Sequence, residues 1–96
     1  MKAKIVYVSG PITGMPDNNK TAFDSACEHW RDKGWVALNP LNYKGENEKF
    51  IMIKEISDLI LKADAIYMLS GWENSLGAQI EHLFARKFDI PIHYQS

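Results

Sequence analysis

Glu81 and the loop ahead of it carry the clearest chemical signal in this sequence. The run Gly71-Trp72-Glu73-Asn74-Ser75-Leu76-Gly77-Ala78-Gln79-Ile80-Glu81 follows an apolar stretch at 65–69 and leads into helical periodicity. A strand that ends in a polar, glycine-bearing loop and then opens a helix with a hydroxyl is the setting in which α/β proteins hold phosphates and sugars. Spacings of three and four residues put Glu81 on one helix face with Gly77, Ala78 and Ala85. These small neighbours leave its carboxylate room to meet a ligand. Glu81 on a solvated face is the competing reading, but Gln79, His82, Arg86 and Lys87 already supply that face. Ser75 has two compatible roles: an N-cap for the helix, and a hydroxyl beside free N–H groups that attract an anion. Trp72 lies in the same loop, where it either borders a ligand or packs on the core.

A second glycine-bearing loop, Ser9-Gly10-Pro11-Ile12-Thr13-Gly14, follows the apolar run at 4–8. Glycines after a first strand let backbone N–H groups approach an anion or a sugar hydroxyl. The loop lacks the lysine of a P-loop and the full spacing of a dinucleotide fingerprint, and a plain tight turn is the alternative. The three histidines stand apart without ligand spacing, so neither a metal nor a cofactor is expected. No serine lies in a nucleophile-elbow sequence.

The elements that must position these residues follow from periodicity. Short β-rich runs at 4–8, 35–38, 65–69 and 90–94 alternate with helical patterns. The first helical pattern runs from about Asn19 through Phe23, Ala26, Cys27 and Trp30 to Gly34, and the second through Met52, Ile56, Leu59, Ile60 and Ala63. The third begins at Ser75. The order βαβαβαβ predicts an α/β fold, a small flavodoxin-like or Rossmann-like three-layer sandwich of about four parallel strands in a single domain spanning 1–96. Both glycine-bearing loops then belong to the carboxyl ends of their strands and face one crevice. Pro91 favours an edge position for the last strand. The polar segment 41–48 is the most mobile-looking part of the chain and a candidate lid.

Composition excludes several function classes. Eleven basic and twelve acidic residues leave a net charge of −1, against a nucleic-acid-coating surface. No apolar run approaches the ~20 residues of a membrane span, and the N-terminus enters a strand at once, so neither an anchor nor a signal peptide is expected. One cysteine, Cys27, excludes an intrachain disulfide and fits a reducing cytoplasm. Its helical spacing to Phe23, Ala26 and Trp30 reads as a buried structural thiol.

Taken together, the stretches Tyr7-Val8-Ser9-Gly10-Pro11-Ile12-Thr13-Gly14, Asn39-Pro40, Ala63-Asp64-Ala65-Ile66-Tyr67-Met68-Leu69, and Gly71 to Ala78 with Glu81 resemble the nucleoside 2-deoxyribosyltransferase superfamily. That superfamily includes the deoxynucleoside 5′-monophosphate N-glycosidases. The strongest likeness is to small phage and bacterial proteins of the DUF4406 type. The resemblance implies that Glu81 is a nucleophile that attacks the anomeric carbon of a deoxyribose and expels the base, with water or a second base resolving the glycosyl-enzyme. By the same resemblance Ser75 holds a 5′-phosphate, Gly10, Pro11, Ile12 and Thr13 line phosphate and sugar, Tyr7 sits beside the nucleophile, and Ser9, Asn39 and Gly77 belong to the binding site. A nucleoside or nucleotide is the implied partner. A homo-oligomer is implied as well, because a neighbouring subunit completes the site in the family's enzymes. The cytoplasm is the expected location, the host's if a phage encodes the chain.

The sequence departs from the family pattern at two places. The enzymes place an acid eight residues before the aspartate matching Asp64, and Ile56 stands there. One extra helical residue brings Glu55 into register, and Asp58 is its rival. Asp64 itself starts the third strand, away from the crevice, which gives it a structural role. Thr13 stands where the phosphate hydrolases often carry an arginine. A non-catalytic module that sequesters or senses a nucleotide on the same fold is the alternative function.

Overall fold

The computed structural model describes residues 2–45 and 47–96. Four strands form one parallel sheet: β1 (Ile5–Ser9), β2 (Val36–Leu38), β3 (Ala65–Met68) and β4 (Ile92–Tyr94). Their spatial order is β2-β1-β3-β4. The helices α1 (Lys20–Asp32), α2 (Glu48–Leu61) and α3 (Leu76–Lys87) supply the crossovers. The expected α/β order and the parallel pairing are both present. Tyr7 pairs with Ile66 and Ser9 with Met68 across the two central strands. The chain reverses its direction of winding between β1 and β3, which is where open α/β sheets bind ligands.

Strand alternation sorts the buried residues onto two faces. Val6, Val8, Ala65 and Leu69 pack with Phe23, Ala26, Cys27 and Trp30 of α1. Tyr7, Ile66 and Met68 pack with Leu59 of α2 and with Ala78 and Ala85 of α3. The helices therefore cover both sides of the sheet. Cys27 is buried within the first of these layers, as its spacing predicts.

Local chemistry moves several element ends away from the sequence expectation. The 90–94 strand shortens to β4 because Ile90 N donates to Ala85 O, completing the end of α3, while Pro91 has no N–H to offer. β4 lies at the sheet edge, where Pro91 was expected to place it. Trp35 stays out of β2 because its N–H turns back to Trp30 O. Before α1 the chain passes through Asp17, Asn18 and Asn19 with φ of 50°, 53° and 61°, the left-handed region that Asn and Asp tolerate best after glycine. Asn19 precedes α1 without capping it, and its Nδ2 donates instead to Pro11 O at 3.0 Å. Asp64 has the structural role read from sequence: its Oδ2 accepts from Ile5 N at 2.8 Å, at the sheet end away from the crevice. No helix among the described residues is long and apolar enough to cross a membrane. In the lid segment expected at 41–48, Glu46 lies outside the described residues. Around it, residues 40–42 form a 3-10 turn and Asn47 caps α2 by accepting from Phe50 N at 2.9 Å.

Candidate functional site

Three elements bring four polar side chains together between β1 and the α2/α3 layer. β1 points Tyr7 and Ser9 at the α2/α3 layer, because residues two apart on a strand share a face. α3 starts where Ser75 accepts from Ala78 N at 3.3 Å, and this cap fixes which turn faces the sheet. Ala78, Glu81 and Ala85 are its buried residues, at spacings of three and four. The two alanines give α3 a low-relief stripe against the sheet. Glu81 reaches inward from the same stripe. α2 contributes Glu55, one turn before the buried Leu59.

Glu81 is held at both oxygens. Tyr7 Oη lies 2.6 Å from its Oε2, and Ser9 Oγ donates to its Oε1 at 2.7 Å. Tyr7 Oη also lies 3.2 Å from Glu55 Oε2. The phenol has one proton, and the shorter contact takes it. Both glutamates are almost fully enclosed, at 4% exposure for Glu81 and 7% for Glu55.

Burial governs the protonation of this group. It pushes Glu81 up to about 7, and the neighbouring Glu55 charge adds to the effect, while the bonds from Ser9 and Tyr7 pull the other way. Glu55 is likewise raised by burial, against the opposing Tyr7 bond. The Tyr7 phenol is raised well above its ordinary range by burial and then by the charges of both glutamates, so it stays protonated. The group can hold one carboxylate between two hydroxyls, with a second, readily protonated carboxyl beside it.

Of the two acids that compete in the sequence, Glu55 is the one beside Glu81. Asp58 lies one turn along and is engaged elsewhere: its Oδ2 accepts from Tyr43 Oη at 2.6 Å and its Oδ1 lies 3.2 Å from Lys62 Nζ. These contacts, the Tyr43 bond first among them, hold its carboxyl below the usual range.

The remaining expected residues spread around this centre. Gly10 is buried, and a Cβ there would fall 2.7 Å from Leu69 Cβ, so the glycine allows the end of β1 to pass close to the end of β3. Pro11 is buried, Ile12 packs toward the α1 layer, and Thr13 is exposed. Gly77 is less constrained, since a Cβ would meet only Met52 Cε at 3.6 Å. Asn39 is buried but locally committed, with Oδ1 accepting from Leu41 N at 3.0 Å and Nδ2 donating to Asp24 Oδ1 at 3.3 Å. It lines a cleft of about 250 Å³ with Asp17, Asn18, Lys20, Asp24, Leu41 and Asn42, and none of the four site residues borders that cleft. Trp72 stacks on His82, with ring centroids 4.2 Å apart, and a His82 ring nitrogen lies 2.8 Å from Tyr94 Oη. The tryptophan thus closes the β4 side of α3 and packs against the cluster that contains Tyr7.

Sequence reasoning missed Tyr43. It packs against the cluster containing Tyr7, and both glutamate charges act on its phenol. A lone aromatic in the polar segment 41–48 was the available signal. No group of three or more His, Cys, Asp or Glu that could hold a metal occurs among the described residues.

The fold is similar to that of 2-deoxyribosyltransferase from Leishmania mexicana, with a TM-score of 0.78 and 22% sequence identity over 95% of this chain. The chain spans 63% of that protein's length. No curated protein matches the sequence. The profile of DUF4406, a domain of unknown function, matches residues 4–94, nearly the whole chain: the protein belongs to the DUF4406 family.

Proposed function

We propose that the protein cleaves the base–sugar bond of a deoxynucleoside or its 5′-monophosphate, as an N-glycosidase or a deoxyribosyltransferase. The observation that carries this reading is the buried Glu81 carboxylate, fixed by Tyr7 and Ser9 with Glu55 on the same phenol. A Glu81 oxygen bonds to the anomeric carbon as the carbon–nitrogen bond breaks, and the departing base takes a proton from Glu55. Water or a second base then displaces Glu81 from the sugar, and the incoming group's proton returns to Glu55. As the neutral ester forms, the negative charge that burial penalises on Glu81 passes to Glu55, which has given up its proton, so the pair carries one buried charge throughout. Tyr7 and Ser9 keep the carboxylate in one orientation, which limits the reorganisation needed to reach the attacking geometry.

Ser75, with the free N–H groups at the start of α3, is the proposed contact for a 5′-phosphate, and residues 10–13 are the proposed contacts for the sugar. The same reading includes a homo-oligomer in the cytoplasm. The exposed Leu76 and Leu83 on α3 and Ile53 and Leu61 on α2 support self-association.

The test incubates the protein with each deoxynucleoside and each 5′-monophosphate, with and without a second free base. Free base is followed by chromatography, with Glu81→Gln run in parallel. Base release by the wild type is expected to fall at least about 1,000-fold in Glu81→Gln, the scale of losing a nucleophile. Undiminished release by that variant would overturn the assignment of Glu81. Tight binding by calorimetry with no product across the panel would replace the enzyme with a nucleotide-binding module.

A further inference from the structure

Asp58 and Tyr43 make a half-buried contact that the proposed chemistry does not use. Tyr43 enters from the loop after β2, between the 3-10 turn at 40–42 and the start of α2. Its ring leans on the cluster of Tyr7, Leu59, Ile66 and Met68, and its hydroxyl donates to Asp58 Oδ2 at 2.6 Å. Asp58 is three residues beyond Glu55, on the adjoining part of the same helix face. The loop is also tied down further on: a Cβ at Gly45 would fall 2.7 Å from the Phe50 ring in the first turn of α2. We infer that Tyr43 is a positioning residue for the Glu55–Glu81 pair: held in place by Asp58, its ring excludes water from the two carboxylates, and Asp58 serves the site through Tyr43 without touching substrate.

The charges support this placement. Burial raises the Tyr43 phenol above its usual range, the Asp58 bond and charge add to it, and Glu55 and Glu81 contribute as well, so the ring stands within electrostatic reach of both. The titratable groups acting on Glu81 are Tyr7 from β1 and Glu55 from α2, and the Glu81 charge in turn acts on the Tyr43 phenol from the loop. Asp58 is not among them, and its charged neighbours are Lys62 and Lys54 of its own helix. Tyr43, which bonds Asp58 and packs on the cluster containing Tyr7, is the side chain that links Asp58 to the pair.

The inference rests on reading Glu81 as the reactive carboxylate, and its test is independent of turnover. Glu81 is titrated by carboxyl-carbon NMR, its resonance identified by its loss in Glu81→Gln, with folding checked by circular dichroism. Tyr43→Ala admits water and is expected to lower the Glu81 midpoint by about one pKa unit. Tyr43→Phe and Asp58→Ala each break the bond but keep the ring, and each is expected to lower it by roughly half as much. The double variant should fall no further than either single one, because both remove the same contact. Asp58→Asn keeps an acceptor for the phenol and is expected to stay close to wild type. A Glu81 midpoint unmoved by Tyr43→Ala would overturn the inference. So would a wild-type midpoint in the ordinary carboxylate range, additive single effects, or Asp58→Asn falling as far as Asp58→Ala. A protein that shows these shifts but releases no base keeps the Tyr43 role and loses the glycosidase reading; base release without the shifts does the reverse.

Discussion

The two faces of the sheet are built from neighbouring residues of the same strands and do opposite work. Toward α1, Val6, Val8, Ala65 and Leu69 meet Phe23, Ala26, Cys27 and Trp30 in an almost entirely apolar layer. The one buried side-chain polar atom without a partner among the described residues, Trp30 Nε1, lies on that side, ringed by Trp35, Tyr67 and His93. Toward α2 and α3, the alternate residues Tyr7 and Ser9 hold Glu81, with Glu55 beside them. A layer that had only to stabilise the fold would not bury two glutamates without a cation among their hydrogen-bond partners, since taking a carboxylate out of water is costly. The α1 face supplies stability, and the α3 face gives some of it up to hold two buried carboxylates.

The largest expected effect breaks the comparison from its stable side. Phe23 is fully buried against Val8, Cys27 and Leu69. Truncation to alanine is expected to cost about 4 kcal/mol by chemical denaturation, from lost transfer energy and the cavity left behind. At temperatures where the variant remains folded, the Glu81 midpoint should be that of wild type. A shifted midpoint would mean that the two faces are coupled through the sheet.

The next effect works from the other side and has the opposite sign. Glu81 titrates near 4.5 in the unfolded chain and at about 7 in the fold. The folded state thus binds its proton more tightly, and its contribution to stability is complete below about 4.5 and is lost as pH rises through 7. The loss is on the order of 3 kcal/mol when complete. Glutamine does not titrate and is nearly the same shape, so Glu81→Gln is expected to be more stable than wild type at pH 8, with the gain shrinking by pH 5. Thermal unfolding at the two pH values measures the difference. A gap that does not change with pH would remove the burial cost assigned to this carboxylate.

Tyr7→Phe sharpens the same contrast by about 1.4 kcal/mol, one pKa unit. The Tyr7 bond holds Glu81 below the value that burial alone would impose. Without it the midpoint rises, and the acid limb of any base-release profile moves to higher pH by about one unit. The pH–rate profile reads this directly, and an unmoved limb would reduce Tyr7 to a packing residue.

How much of this was legible in the sequence differs between the faces in the same way. Periodicity gave α1 and its core positions Phe23, Ala26, Cys27 and Trp30, because an apolar face obeys a spacing rule that needs no partner. The order of strands and helices gave the parallel sheet, and the small residues around Glu81 pointed to its inward face. The choice between Glu55 and Asp58 was not legible. Three residues apart, both lie on the same part of the helix, and what separates them is which tyrosine each one meets: Tyr7 is 48 positions away from Glu55 in the chain, and Tyr43 is 15 away from Asp58. Tyr43 itself was hidden in a polar segment, where local pattern marks a loop and says nothing about its long-range contacts. Trp72 was ambiguous for a related reason, because its stacking on His82 depends on a turn of α3 that only the fold aligns.

The smallest effect concerns Ser75, where the two roles read from the sequence make different predictions. As a cap it accepts from Ala78 N at 3.3 Å, a long bond at a half-buried helix start. Ser75→Ala is therefore expected to lower stability by about 1 kcal/mol, the usual value for an N-cap, and Ser75→Asp to recover most of that loss because a carboxylate caps well. The 5′-phosphate role separates the two variants. If Ser75 and the free N–H groups of α3 hold a phosphate, the aspartate restores the helix and repels the ligand, so KM for a 5′-monophosphate rises while KM for the bare deoxynucleoside does not. If Ser75 is only a cap, both substrates respond alike and KM follows neither variant. Measuring the two KM values beside the two unfolding midpoints thus tells whether the mouth of the crevice shares the division of labour seen in the sheet below it: one residue giving stability, or one residue giving stability and recognition together.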